Sequence, residues 1–393
     1  MKILVINSGS SSIKFQLLHM PKGEVIAKGL IERIGFDDAI INYNTTKGKI
    51  KEIEPIKNHE IGLKRIANLL LDKNNGVLQS ADEILAVGHR VVHGGSVFTK
   101  TTIITPKVKE AIKELSFLAP LHNPANLLGI EVAEKIFSHA KQVAVFDTAF
   151  HQTIPEVAHR YAIPNEFYEK ENVRLYGFHG TSHQYVANKS NQFLNKENSK
   201  LITIHLGNGC SMTAIKNGKS IDHSLGFGPM NGLIMGTRSG DIDQSVVLFL
   251  AQKLNYSIEE ISNLLQKKSG MLGLTGMSDL RDIETAAEKG DKMAILALEM
   301  NAYRIKKYIG SYAAIMNGLD AIVFTAGIGE NSDVIRNLVC KDLTYLGIEL
   351  NIEKNSIRSK ETRAIQTNNS KVKVLVIPTN EEFEIASQVF KLI

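Results

Sequence analysis

The chain has 393 residues, 43% of them apolar, enough to bury a core in each of two domains of roughly 150–200 residues. A net charge of +5, dispersed and interspersed with acidic residues, argues against a nucleic-acid partner but suits an anionic substrate. The two cysteines, Cys210 and Cys340, lie outside any CxxC pair, which argues against a disulfide framework or a zinc finger.

The first apolar stretch, Ile3–Ile6, is too short for a signal-peptide core. No apolar run approaches the ~20 residues that a bilayer span needs. A soluble cytoplasmic protein with no membrane partner is expected. Segments Lys2–Ile6, Ile13–Leu18 and Val25–Leu30 predict three strands in meander order. A helix follows over Glu60–Leu71, with Ile61, Ile66, Leu69 and Leu70 at helical spacing. Then come a strand at Ile84–Gly88, helices at Pro106–Leu118 and Ala125–Phe137, and a strand Gln142–Phe146 that ends in Asp147.

The second half repeats this opening. LITIHLGNGCSMTAIKNGKSIDHSLG reads like ILVINSGSSSIKFQLLHMPKGEVIAKGL: strand, Gly/Ser-rich turn, strand, turn, strand. Helices follow, including Met300–Met316 closed by Asn317-Gly318. A buried strand Ala321–Thr325 runs into AGIGEN, with a helix expected to open near Asn331–Ser332. A last strand, Val372–Ile377, leads into PTNEEFEIASQVF, a terminal helix. Alternating strands and helices make the class α/β, and the repeat indicates a duplication at domain scale. The expected boundaries are residues 1–148, joined by the terminal helix 381–393, and residues 149–380. Two such domains around a central cleft would hold a small ligand between them.

Several segments carry chemistry. The turn Asn7–Ser12 lies in a hairpin, where backbone N–H groups can converge into an anion-binding nest, and Lys14 adds a charge. HLGNGCS at 205–211 is its near-copy. NGKS at 217–220 imitates a phosphate-loop tail, but Thr213 stands where the leading glycine belongs, so a type I′ hairpin turn is expected. Arg90 in VGHRVVHGG and Arg238 in NGLIMGTRSGDIDQS sit in glycine-bounded segments, where a guanidinium can clamp a carboxylate or a phosphoryl group. Either can equally be a surface cation. His179 and His183 in FHGTSH are four apart, but no glutamate completes an HExxH zinc motif. They, like His122 in PLHNP, read as hydrogen-bonded core or cleft histidines. Asp147 ends a strand, where α/β sheets place ligands. Glu381 at a helix start either stabilises that terminus or binds magnesium. The glycines of AGIGEN suit the approach of an adenine or ribose.

Together LVINSGSSSIK, VGHRVVHGG, HLGNG, GPMNGLIMGTRSGDID, AGIGEN and PTNEE, in this order over the whole chain, closely resemble the acetate kinase (acetokinase) family. The resemblance implies two duplicated ribonuclease-H-like domains of the actin-like phosphotransferase fold. It implies reversible transfer of a phosphoryl group from ATP to acetate, giving acetyl phosphate and ADP, in a homodimer. By residue it implies Asn7 and Glu381 at magnesium, with manganese as a substitute. Lys14 and His205, Leu206, Gly207, Asn208 and Gly209 would serve the ATP phosphates. Asp279, Leu280 and Arg281, with Gly327, Ile328, Gly329, Glu330 and Asn331, would hold the nucleoside. Arg90, Asp147, His179 and Arg238 would be catalytic, with His122 nearby, and Val92, Leu121, Phe178 and Pro229 would pocket the acetate methyl.

Acetate is ionised at neutral pH, so a general base is not chemically required. Asp147 is therefore expected to orient and to act electrostatically, through an arginine. The alternatives are a propionate or other short-chain fatty acid kinase of the same group and, from another class, an actin-like nucleotide switch. Such a switch would not need Arg90 and Arg238.

Overall fold

The first strand runs two residues beyond the apolar stretch, so that Asn7 and Ser8 still belong to it. In the computed structural model, which describes residues 1–393, β1 is Lys2–Ser8, β2 Ser12–His19 and β3 Glu24–Glu32, an antiparallel meander. Two further strands, β4 Ala39–Thr45 and β5 Lys49–Glu54, extend this sheet where the sequence reading had none. They lie toward its edge, and β5, KIKEIE, carries only Ile50 and Ile53, three residues apart and so on opposite faces, which leaves no period-two apolar signal. β6 Ile84–Val91 pairs in parallel with β1, and β8 Lys141–Phe146 in parallel with β6. The short β7 Thr102–Ile103 closes the far edge, giving the order β5-β4-β3-β2-β1-β6-β8-β7. β6 extends past the expected Gly88, which puts Arg90 on the strand rather than after it.

These elements and the terminal helix form one unit, Met1–Phe150 with Asn380–Ile393. The period-two alternation of β1 divides its core. Leu4 and Ile6 pack with Leu63, Ile66, Val132 and Ala133 of helices His59–Leu71 and Asn123–Ile136. Ile3 and Val5 pack on the other face with Ile385, Ala386 and Val389 of the terminal helix Glu381–Leu392. That helix lies so close to β6 that a Cβ on Gly88 would stand 2.9 Å from Ile385 and Val389 side-chain carbons. The helix expected over Pro106–Leu118 is α-helical only to Glu114 and then tightens into a 3₁₀ turn, Leu115–Phe117.

The second unit is His151–Thr379. Its strands β9 Lys200–Leu206, β10 Cys210–Lys216 and β11 Lys219–His223 form the repeated meander. Asn217 and Gly218 both have positive φ, 53° and 74°, as a type I′ turn requires. β12 Ala321–Thr325 lies parallel to β9, β14 Lys373–Val376 parallel to β12, and β13 Arg363–Ala364 caps the edge. The order β11-β10-β9-β12-β14-β13 repeats β3-β2-β1-β6-β8-β7 strand for strand, antiparallel edge included. The α/β class and its duplication thus hold. Helix Lys292–Met316 starts eight residues before the expected Met300, because Asp291 caps it by accepting from the Ala294 N–H. It ends at Asn317 in the left-handed region. AGIGEN is not a loop before a helix. It is itself the short helix Ala326–Asn331, and Ser332 caps the next, Asp333–Cys340.

Candidate active site

In the first unit the parallel pairing of β6 and β8 sets Arg90 opposite Val145, two residues before Asp147. The guanidinium reaches that carboxylate through Nε, 3.1 and 3.0 Å from its two oxygens, and Nη2, at 2.5 Å. Asp147 is only 1% exposed. Burial pulls the Arg90 pKa down, but Asp147 and Glu381 outweigh it and the net shift is upward, so the cation is fixed. Glu381, the first residue of the terminal helix, stands 3.9 Å from Arg90 Nε. Burial raises its pKa, partly offset by Arg90. Lys14 on β2 is directly opposite Asn7 on β1, so both side chains leave the same face, the one covered by the terminal helix. Lys14 Nζ is ion-paired at 2.5 Å with Glu382, a partner the sequence reading did not assign.

His122 precedes helix Asn123–Ile136, and Leu121 beside it is 61% exposed. Two asparagines missed in the sequence organise this corner. Asn126 accepts from the Val92 N–H (3.0 Å) and donates to the Ser8 carbonyl (2.7 Å). Asn123 accepts from the His93 N–H and donates to the His93 carbonyl, both at 3.0 Å. Their i, i+3 spacing in HNPAN was the available signal, since it puts both on one helix face.

In the second unit three features converge on the hairpin loop Gly207–Gly209, which is as long as the Gly9–Ser11 loop of the first unit. In each loop the first glycine's N–H closes its own turn, Gly9 to Ser12 O and Gly207 to Gly209 O, so that donor is unavailable to an anion. A Cβ placed on Gly209 would lie 3.6 Å from His179 Nε2 and 3.9 Å from Arg238 Nη1. His179 adopts φ +56°, a conformation costly for a non-glycine residue and common at functional sites. Its ring stacks on His205 (centroids 4.4 Å, 15°) and its Nδ1 lies 2.9 Å from Ser211 Oγ. Arg238 donates to the Pro229 carbonyl at 3.1 Å, and no carboxylate lies within 4 Å of it. Burial lowers its pKa, yet a guanidinium stays charged. Phe178 is buried, its N–H donating to His223 Nε2 and its carbonyl accepting from His151 Nε2.

The same loop lines a cavity of about 770 Å³. Gly207 and Asn208 meet there Asp279, Leu280, Arg281, Gly327, Ile328 and Asn331, all expected nucleoside or phosphate residues. Ser278, Glu284, Ser332 and Arg358 complete the lining and were missed. The size suits a nucleotide-sized ligand. Asp279 caps helix Leu280–Glu288 and pairs with Arg281, whose hydrogen bond and charge hold the Asp279 carboxyl at a pKa of about 2. Not every expected residue faces this cavity. His205 is buried and bonded to Ser182, and Leu206 lines a smaller adjoining space with Cys210. Gly329 packs on the backbones of Phe324 and Ile204, and Glu330 accepts from the Thr379 N–H.

Comparison with known proteins places the whole chain in a family. Residues 2–387 match the Acetokinase family. A Flavobacterium johnsoniae acetate kinase is 63% identical over the full length of both chains. The crystal structure of Porphyromonas gingivalis acetate kinase is 46% identical and superposes with a TM-score of 0.94, covering 100% of this chain and 99% of that one. A propionate kinase from Francisella tularensis is 42% identical with a TM-score of 0.93, covering 98% of each chain. From its second residue almost to its end, through both sheets and the loops that carry the candidate residues, this chain belongs to the Acetokinase family.

Proposed function

We propose that the chain transfers a phosphoryl group reversibly between ATP and acetate, giving acetyl phosphate and ADP. The observation that carries this reading is the loop Gly207–Gly209. One end lines the nucleotide-sized cavity, and the other abuts His179 and an arginine with no carboxylate within 4 Å. A nucleotide seated in that cavity would direct its terminal phosphate along the loop to a fixed cation and a ring N–H.

Phosphoryl transfer needs positioning and neutralisation of charge more than covalent help from the protein. Arg238 neutralises the equatorial oxygens of the transferred group, and His179 donates a hydrogen bond to them. Arg90 binds the acetate carboxylate. Asp147 holds the Arg90 guanidinium in one orientation through Nε and Nη2, leaving its remaining N–H donors for substrate. Because acetate is already an anion, this assigns Asp147 an orienting role. Val92, Leu121, Phe178 and Pro229 supply apolar surface for the methyl group, His122 supports the Leu121 side, and Lys14 serves the phosphates.

The enzyme is expected to use a divalent metal, which we take to be magnesium, with manganese as substitute. Magnesium favours one or two carboxylates, the balance of its ligands being water and phosphate oxygens. The carboxylate of Glu381, first residue of the terminal helix, and the amide of Asn7 on β1 are of the types that preference calls for. Glu381 and Asn7, a carboxylate and an amide oxygen associated with the terminal-helix face of the first sheet, are the donors we assign. Held by these residues, the metal would supply positive charge that offsets the charge of the nucleotide phosphates.

The second reading, a propionate or broader short-chain kinase, rests on the near-equal structural likeness to a propionate kinase. One methylene is worth only ~1–3 kcal/mol of discrimination. Trapping acyl phosphate with hydroxylamine, with ATP and each of acetate, propionate and butyrate, tests both. The largest kcat/KM is expected for acetate. A preference for propionate would overturn the acetate assignment, and no product from any acid would favour a nucleotide switch.

No helix is long and apolar enough to cross a membrane, and we place the enzyme in the cytoplasm. We further assign it as a homodimer. Helix Gln244–Gln252 buries none of its residues, with Leu248 58% and Phe249 53% exposed. On helix Lys292–Met316 the exposed Met293, Leu296, Met300 and Tyr303 recur at helical spacing along one face. These exposed apolar side chains support an association surface, and the family resemblance is the reason we take its occupant to be a second copy. Sedimentation equilibrium should return twice the chain mass of 43.4 kDa. A monomer mass at micromolar concentration would rule the dimer out.

A further inference from the structure

β1 and β6 run parallel, but their pairing stops before either strand ends. The last paired residues are Ile6 and His89. β1 continues beside β2 to Ser8, and β6 beside β8 to Val91. The two strands therefore part at their carboxyl ends, where an α/β sheet takes its ligands. One side chain fills the opening. Asn126 accepts from the Val92 N–H (3.0 Å) and donates to the Ser8 carbonyl (2.7 Å). Its amide is a rung inserted where the backbone ladder ends. Both partners are main-chain groups, one able only to donate and the other only to accept, so a single orientation of the amide serves both.

The helix that carries Asn126 is shaped for this contact. Asn123, Asn126 and Gly129 follow one another at three-residue spacing along one face of helix Asn123–Ile136. Gly129 lets that face come close, since a Cβ there would stand 2.4 Å from Ser8 Oγ and 3.0 Å from Ser8 Cβ. Both asparagines are buried, Asn123 at 0% and Asn126 at 4% exposure. Gly94 N–H donates to Thr148 Oγ1 and Gly95 N–H to His93 Nδ1, each at 3.0 Å. With Val92 and His93, four consecutive N–H groups beyond β6 thus meet side chains. Asn123 grips that segment through both main-chain groups of His93, whereas Asn126 grips it and β1 together.

The two strands that this rung joins carry different parts of the assigned chemistry. Asn7, the proposed metal donor, lies on β1 one residue before Ser8. Past the last pair on β6 come Arg90, proposed for the acetate carboxylate, and Val92, proposed for its methyl group. We propose that Asn126 is a positioning residue that fixes the opening between β1 and β6, and with it the placement of the acid pocket relative to the metal donor. The proposal rests on the reaction assigned above. The residues lining the nucleotide cavity all belong to the second unit, so nucleotide binding itself should not depend on Asn126.

The test compares Asn126→Ala with Asn123→Ala, and adds Asn126→Leu, which keeps most of the side-chain volume, in case the alanine variant does not fold. Either Asn126 variant should raise the KM for acetate about tenfold and the magnesium concentration for half-maximal rate about fivefold, the scale of a small displacement at a reacting centre. ADP binding without metal, read by calorimetry, should stay within about twofold of wild type. Asn123→Ala frees only the segment beyond β6, so the acetate KM should rise while the magnesium requirement stays within about twofold of wild type. Amide hydrogen exchange reads the contact without reference to activity. The Val92 N–H should exchange slowly in wild-type protein and fast in both Asn126 variants, and the His93 N–H fast only in Asn123→Ala. A rate that falls only with the folded fraction, at wild-type KM and magnesium requirement, would overturn the proposal. So would Asn126 and Asn123 variants that behave alike. Absence of acetyl phosphate from the wild-type enzyme would instead count against the reaction, leaving the exchange of Val92 to decide whether Asn126 holds the two strands.

Discussion

Arg90→Ala should damage both stability and turnover. The Asp147 carboxylate that Arg90 holds is 1% exposed, and three donor–acceptor contacts join the two groups. Removing one partner of a buried ion pair costs ~3–5 kcal/mol, because the remaining charge keeps its desolvation penalty and loses its compensation. Arg90 is itself about one-fifth exposed, which places the cost toward the lower end of that range. Turnover should fall by at least ~10²-fold in protein that is still folded, the scale of losing one positioned electrostatic donor. Denaturant unfolding should show a lower midpoint at unchanged slope. Turnover should be measured at a temperature where circular dichroism shows the native fold. A rate that falls only in proportion to the folded fraction would make Arg90 a structural residue and remove it from the acetate site.

Much of the architecture was legible because it depends on local pattern. The two meanders announced themselves through apolar runs broken by Gly/Ser turns, and Asn217-Gly218 specified its own turn type. What escaped detection is set by tertiary context. β5 reads as a charged segment because one of its edges faces solvent and its two isoleucines, Ile50 and Ile53, fall on opposite faces instead of alternating with the charges. Asp291 starts its helix eight residues early through a single cap, a contact that outweighs the weaker apolar periodicity of Lys292–Glu299. At the site, the residue types that attract attention in a sequence were arginine, aspartate and histidine beside glycine. Ser211, Thr203, Asn123 and Asn126 are ordinary residues in a strand or helix until a partner distant in sequence arrives, Ser8 for Asn126 and His183 for Thr203. Glu382 illustrates the same limit, since adjacency to Glu381 says nothing about which of the two carboxylates Lys14 selects.

Arg238→Ala should separate catalysis from stability where Arg90→Ala cannot. Both guanidiniums sit in glycine-bounded segments, but their surroundings differ. Arg90 is joined to a buried carboxylate, whereas Arg238 is half-buried, donates to the Pro229 carbonyl and has no carboxylate within 4 Å. Its truncation therefore strands no paired charge, and unfolding should shift by less than about 1 kcal/mol, as for a substitution that breaks no ion pair. The same surroundings make it effective in the reaction. A guanidinium already stripped of much of its water, and not neutralised by the protein, interacts strongly with charge that develops beside it. Turnover should fall at least ~10²-fold, with kcat and kcat/KM falling together, the signature of an interaction made only in the transition state. Arg238→Lys should recover little, because an ammonium cannot present two parallel N–H donors to phosphoryl oxygens. Steady-state turnover in the hydroxylamine assay, with thermal unfolding on the same samples, decides the matter. Near-wild-type turnover in Arg238→Ala would remove it from the phosphoryl site, and a large loss of stability would mean that its bond to Pro229 shapes the loop instead.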